Sequence, residues 1–181
     1  MTPRFEMFPT PLDGLVVLLR RRMDDSRGYF ERLFCGNELS RHTGGKPIAQ
    51  VNHTLTVHSG TVRGLHYQLA PHAEIKFVQC LHGKVFDVVV DLRPESPTYL
   101  HWHHEILCGD DAKTLVIPEG CAHGFQTLET NCEMLYFHTA AHHPEAESGM
   151  HPLASGLGIA WPMRVCDLSA RDAKLPEFHS R

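Results

Sequence analysis

Two short runs hold the side chains best suited to moving protons. They are Arg63-Gly64-Leu65-His66-Tyr67-Gln68 and Ile117-Pro118-Glu119-Gly120, the second continuing to His123-Gly124-Phe125. Each sets a histidine near a glycine on what reads as a β-strand or its edge, and Lys76 sits between them on another apolar strand. Two imidazoles, an ammonium and a guanidinium converging inside a β-structure would make a proton-transfer site for an anionic substrate.

Each of these residues has a plainer reading beside the chemical one. His66 titrates near neutrality and suits a general base, with an acid such as Asp172 to orient its ring; the plain reading is a core histidine bonded to backbone. Lys76 and Arg63 could stabilise a developing enolate or a phosphate, or could be solvated strand-edge cations. Tyr136 shares the parity of Met134 and His138 within Cys132–His138, and could donate a proton or be a core aromatic with its hydroxyl at the surface. The run Pro118 to His123 matches the P-x-G-x-x-H element of cupin barrels. A metal-binding cupin needs a second cluster of H-x-H followed by Glu, whereas here Gln68 follows His66 and Glu74 comes later. Glutamine and a lone carboxylate substitute weakly for imidazole, so no metal and no cofactor is expected.

The elements that must position these groups read as β. Thr54–Val57, Thr61–Tyr67, Lys76–Leu81, Val85–Leu92, Leu100–Leu107, Lys113–Ile117, Phe125–Leu128 and Cys132–His138 are short apolar or alternating runs. Turn residues separate them, among them Ser59-Gly60, His82-Gly83, Glu119-Gly120 and Thr130-Asn131. Short strands at this spacing predict a sandwich or barrel rather than a parallel α/β sheet. A few helical turns are expected at Gly36–Arg41 and Ala170–Ala173, the latter capped by Ser169. Alternation in Val85–Leu92 puts Asp87 on the face of Val85 and Val89, toward a semi-polar cavity. Lys76 shares a face with Val78 and Cys80, and a lysine and an aspartate inside a barrel need each other or a ligand. Arg63 and His66 fall on opposite faces of a regular strand, and a bulge at Gly64 would turn both inward.

The chain of 181 residues fits one domain, 1–181, and 42% hydrophobic with 21% charged residues is globular composition. The longest apolar run, Leu15–Leu19, falls far short of a bilayer span, and Met1–Pro11 carries no basic leader with an apolar core. A cytoplasmic location is therefore expected, with the six cysteines, none in a CxxC pair, as reduced thiols. A formal net charge of −4 argues against a nucleic-acid partner. Most of the fifteen histidines read as surface residues without a role.

The chain resembles the dTDP-4-dehydrorhamnose 3,5-epimerase family of nucleotide-sugar epimerases along nearly its whole length. The resemblance runs through Asp25–Phe30, Gln50–His53, Arg63–Gln68, Gly83–Val88, Val90–Arg93, Ser96–Thr98, Ile117–Phe125, Gly158–Pro162 and Leu168–Asp172, in order. It implies an all-β, cupin-type jelly roll that needs no metal, usually a homodimer, acting on a nucleotide-diphosphate sugar. By position it implies His66 as catalytic base with Asp172 as dyad partner, Tyr136 as proton donor, and Lys76 near the 4-keto oxygen. Asp87 and His123 share that pocket; Gln50, Asn52, Arg63, Glu147 and Arg171 hold the substrate; Arg27 and Phe30 are lent by a neighbouring subunit. His142 stands where the family commonly has a tyrosine six positions after Tyr136, and Phe137 where a lysine often follows it. Two other readings stand beside this one. A metal-dependent cupin oxygenase would use His66, Glu74 and His123, and a non-catalytic sugar-nucleotide binder would need no proton-transfer pair.

Overall fold

The computed structural model describes residues 3–177. Eight strands carry the fold: β5 (Gln50–Thr56), β6 (Thr61–Gln68), β7 (Lys76–His82), β8 (Lys84–Asp91), β9 (Trp102–Cys108), β10 (Lys113–Ile117), β11 (Cys121–Thr127) and β12 (Cys132–His138). They pair as β5-β12-β7-β10 in one sheet and β6-β11-β8-β9 in the other, the jelly-roll order of two interleaved Greek keys. All eight overlap the apolar or alternating runs of the sequence, although β5 begins at Gln50 rather than Thr54. Around them, β1 (Phe5–Pro9) and β2 (Val16–Arg20) extend the first sheet beyond β10. The strands β3 (Arg22–Asp25) and β4 (Gly28–Glu31) form a separate hairpin, and β13 (Glu147–Gly149) and β14 (Asp167–Leu168) both pair with β6. These six lie outside the strands expected from the sequence; four of them, β3, β4, β13 and β14, are four residues or shorter, too short for periodicity to give a signal.

Other boundaries differ from expectation as well. β11 begins at Cys121 rather than Phe125, because the turn at Glu119-Gly120 ends there and His123 already lies in the ladder. Gly120 has φ +78°, and a Cβ on it would meet the Arg93 side chain at 2.6 Å, so this turn accepts no larger residue. The helical turns are 3₁₀ turns at Ser40–His42 and Asp172–Lys174, displaced toward the C-terminus from 36–41 and 170–173. Arg171, not Ser169, holds the N-cap position of the second, while Ser169 Oγ just before it accepts the Asp172 N–H at 3.0 Å. Among the described residues no helix is long and apolar enough to cross a membrane.

Alternation in β8 decides where the core goes. Val85 and Val89 point between the sheets, into a cluster with Val78, Leu115, Phe125 and Met134. Phe86, Val88 and Val90 point outward, yet they too are buried, under Ala154, Leu157 and Trp161 of the segment after β13. A third cluster covers the outer face of the other sheet, where Phe34 and Leu39 pack on Phe77 and Val116. Each large side chain removed from water in these clusters contributes ~1.5–3 kcal/mol. The central strands are thereby buried on both faces and give the site a stiff frame.

Asp91 ends β8 as a buried carboxylate that clamps the following loop. It accepts from Arg93 Nη2 and Thr98 Oγ1, each at 2.7 Å, from the Arg93 amide at 3.0 Å and from Ser96. Burial pushes its carboxyl up, but the hydrogen bonds from Arg93, Ser96 and Thr98 outweigh burial and hold it well below the usual carboxylate range. A depressed folded pKa stabilises the fold in full above the unfolded value, and the contribution is lost progressively as pH falls from there through the folded value. Asp91→Asn should therefore cost about 3 kcal/mol in urea unfolding at pH 7, with the gap to wild type closing below about pH 4. An unchanged midpoint at pH 7, or a gap that persists in acid, contradicts this account.

Candidate active site

The two jelly-roll sheets enclose a cavity of about 500 Å³. One wall comes from β5, β7 and β12. Antiparallel register sets Lys76, His138 and Gln50 in one row across these strands, and Val78, Tyr136 and Asn52 in the next. A period of two then points Gln50, Asn52, Thr54, Lys76, Tyr136 and His138 to one face, and all six line the cavity. The opposing wall comes from β6 and β11, where His66 lies opposite His123.

A bulge brings Arg63 and His66 to the same side. Arg63 pairs with Phe125 and His66 with His123, so β6 advances three residues where β11 advances two. The glycines make this possible: a Cβ on Gly64 would meet Gly124 Cα at 2.6 Å, and one on Gly124 would meet the Arg63 carbonyl oxygen at 2.6 Å. Gly64 also holds φ +122°, a conformation side chains resist. Both Arg63 and His66 line the cavity as the sequence suggested.

His66 and Asp172 form a tight pair, Nε2 to Oδ1 at 2.7 Å, with side-chain exposures of 29% and 5%. The second oxygen of Asp172 accepts the Gly64 N–H at 3.1 Å. Burial pushes the Asp172 carboxyl up, but hydrogen bonds from His66, Gly64 and Ser169 outweigh it and keep the group ionised. An ionised carboxylate at Nε2 draws the ring hydrogen to that nitrogen, which leaves the lone pair of a neutral imidazole on Nδ1.

Tyr136 reaches the cavity from the other wall. Burial pushes its phenol above the ordinary value; the Asp87 charge adds to this, while the Thr54 hydroxyl and Arg63 oppose it. The phenol therefore holds its proton across the neutral range. Its ring meets that of His123 edge-on, centroids 6.2 Å apart.

Lys76 and Asp87, expected to need each other or a ligand, do not pair with each other. Lys76 Nζ donates to the His66 carbonyl oxygen at 3.1 Å and pairs with Glu74 at 3.3 Å. Asp87 is fully buried behind His123, whose Nε2 lies 2.9 Å from both of its oxygens, and it does not reach the cavity wall. Burial pushes the Asp87 carboxyl up, with the His123 charge opposing.

The side chains weighed as metal ligands are spent elsewhere. The Gln68 amide donates to the His72 and Ala141 carbonyls and accepts from the His143 N–H. Glu74 is shared between Lys76 and His138, and His123 Nε2 is taken by Asp87. With its donors committed in this way, His66, Glu74 and His123 do not form a converging ligand set.

The cavity mouth gathers the polar residues expected to hold a substrate. Gln50 Oε1 accepts the His142 N–H at 2.9 Å, His142 Nε2 lies 3.1 Å from Glu147, and Glu147 pairs with Arg171. Burial pushes Glu147 up, but His142 and Arg171 pull it below its ordinary value. Arg63 has no carboxylate partner among the described residues. Arg27 and Phe30 stay out of their own chain's cavity, on the β3–β4 hairpin, with the Arg27 side chain 87% exposed and Phe30 57% exposed. Sequence reasoning left out Thr54, Thr61, His138 and Asp167 of the lining. The parity of β5 and β12 was the signal that could have found Thr54 and His138.

Known proteins match this chain in sequence and fold. The family model described as dTDP-4-dehydrorhamnose 3,5-epimerase matches residues 9–180. The dTDP-4-dehydrorhamnose 3,5-epimerase of Sinorhizobium fredii is 39% identical over 165 residues, spanning 90% of this chain and 85% of that protein. The crystal structure of dTDP-4-dehydrorhamnose 3,5-epimerase from Bacillus anthracis, with TDP and PPi bound, superimposes with TM-score 0.92 at 32% identity, over 96% of this chain and 99% of that one. NovW, a 4-keto-6-deoxy sugar epimerase from the novobiocin gene cluster of Streptomyces spheroides, gives 0.90 at 31% identity, over 98% and 89%. A match of this extent in both sequence and jelly-roll topology leaves one assignment: the chain belongs to the dTDP-4-dehydrorhamnose 3,5-epimerase family.

Proposed function

We infer that this single domain inverts C3, C5 or both in a dTDP-linked 4-keto-6-deoxyhexose, as a step of deoxysugar biosynthesis. One observation carries the reading: an imidazole in a dyad and a half-buried phenol that burial keeps from ionising enter one cavity from opposing sheets. His66 takes the proton from the carbon beside the ketone, and the C–H electron pair becomes the enolate. Lys76, beside His66, stabilises the oxygen on which the charge gathers. Tyr136 returns a proton to the carbon from the other face, which inverts it. Arg63, the cation free of a carboxylate, suits the diphosphate, with Arg171, Gln50, Asn52, His142 and Glu147 along the mouth. Asp87 serves indirectly, by holding His123 against the wall.

A homodimer fits the β3–β4 hairpin, whose exposed Arg27 and Phe30 have no use in their own chain's cavity and would complete a neighbour's. A cytoplasmic location fits the six free cysteines.

Incubation with the 4-keto-6-deoxy sugar nucleotide in deuterated water tests the reaction. Deuterium should enter at C3, C5 or both, read by NMR, and its position reports which centres are inverted. No label at either carbon removes the mechanism.

A further inference from the structure

The wall built by β5, β7 and β12 carries a polar chain that runs through His138 and Glu74, two residues to which the proposed chemistry gives no role. Gln50 Nε2 donates to Asn52 Oδ1 at 3.1 Å, and Asn52 Nδ2 stands 3.4 Å from His138 Nε2. His138 Nδ1 is 2.9 Å from Glu74 Oε2, and Glu74 reaches the Lys76 ammonium at 3.3 Å. Lys76 in turn donates to the backbone carbonyl of His66. Five side chains thus run without a break from the cavity mouth to the backbone of the base.

His138 is the hinge of this chain. A carboxylate only accepts, so Nδ1 carries the hydrogen toward Glu74, while Nε2 faces the Asn52 amide. Its ring lies nearly parallel to that of Tyr136, centroids 6.1 Å apart at 24°. The side chains of Lys76, Glu74 and His138 are 8%, 8% and 12% exposed. Burial pushes the Glu74 carboxyl up, and His138 and Lys76 together outweigh it, so an ionised carboxylate sits between two donors. Held from both sides, it has one seat. With the His138 donor gone, it would turn wholly to Lys76 and draw the ammonium toward itself.

We propose that His138 is a positioning residue for the epimerisation: by holding Glu74 it keeps the Lys76 ammonium directed at the ketone oxygen. This rests on the placement of Lys76 given above. The ketone is neutral in the bound substrate and anionic only as the proton leaves. A misdirected ammonium therefore weakens the chemical step more than binding.

His138→Phe keeps a ring over Tyr136 and removes the donor, whereas His138→Gln returns an amide donor. For His138→Phe, kcat of exchange should fall about 10- to 100-fold while KM moves less than about threefold. His138→Gln should recover part of that loss. Glu74→Gln should lower kcat similarly, and the double variant should be no slower than the worse single by more than about threefold, because both act on one ammonium. His138→Met supplies the comparison where His138→Phe does not fold. An unchanged kcat, a loss confined to KM, multiplicative losses in the double variant, or no recovery with glutamine each overturns the proposal. Lys76→Ala separates the two levels. If it leaves exchange intact, the placement of Lys76 fails; if it abolishes exchange while His138→Phe leaves kcat unchanged, the role of His138 alone fails.

Discussion

His66→Ala should stop solvent exchange at every carbon that labels in the wild type, by about 10²–10⁴-fold, the usual contribution of a positioned general base. The loss should be uniform because one imidazole opens each round of chemistry, whichever carbon is inverted. Asp172 is the reason to expect the upper end. Its ionised carboxylate at 2.7 Å orients the ring and stabilises the imidazolium formed on proton uptake, so the base taken away is one already held in place by its partner. The fold should survive, because His66 is partly open to the cavity and Asp172 keeps the Gly64 amide as a donor. Deuterium uptake followed by NMR, with a thermal melt on the same sample, decides the matter. Wild-type-like exchange in a folded variant refutes the base.

How far the sequence foretold this site follows from which forces place each residue. The eight jelly-roll strands were legible because burial on alternating or both faces leaves a pattern in the chain itself, as in Lys84–Asp91. The bulge that unites Arg63 with His66 was legible from Gly64, since a glycine amid bulky strand residues marks a close backbone approach. Partner choice was not. Parity sets Asp87 and Lys76 on inward faces, but the register of β8 on β11 decides that Asp87 meets His123, while Lys76 turns to Glu74 two residues before it. Register between strands distant in sequence depends on turns and packing, not on the residues of one strand. Glu74 shows the same limit. It reads as a candidate metal ligand in the chain, and becomes a counter-ion once β12 brings His138 beside it. Arg27, Phe30, Gln50, Asn52, Glu147 and Arg171 came from resemblance alone. The mouth cluster of Gln50, His142, Glu147 and Arg171 is built from segments about twenty to ninety residues apart, which no local pattern connects.

Tyr136→Phe should separate two steps that His66→Ala cannot. Phenylalanine preserves the ring that packs on the interior cluster, and it deletes only the hydroxyl. Deprotonation by His66 then proceeds, and His66 can return solvent-derived hydrogen to the face it came from. Exchange without inversion is the expected signature, with inversion slowed about 10²–10⁴-fold and exchange by far less. The raised phenol pKa does not weaken this role. A carbon-bound hydrogen next to a ketone is a still weaker acid than a buried phenol, so transfer from Tyr136 to the enolate carbon runs downhill. Burial serves to keep the donor loaded at neutral pH and the resulting phenolate short-lived. Deuterium incorporation and epimer formation, followed together in one NMR time course, read the two rates in the same tube. Equal and severe loss of both would move Tyr136 into enolate formation, and loss of neither would require a different donor on that wall.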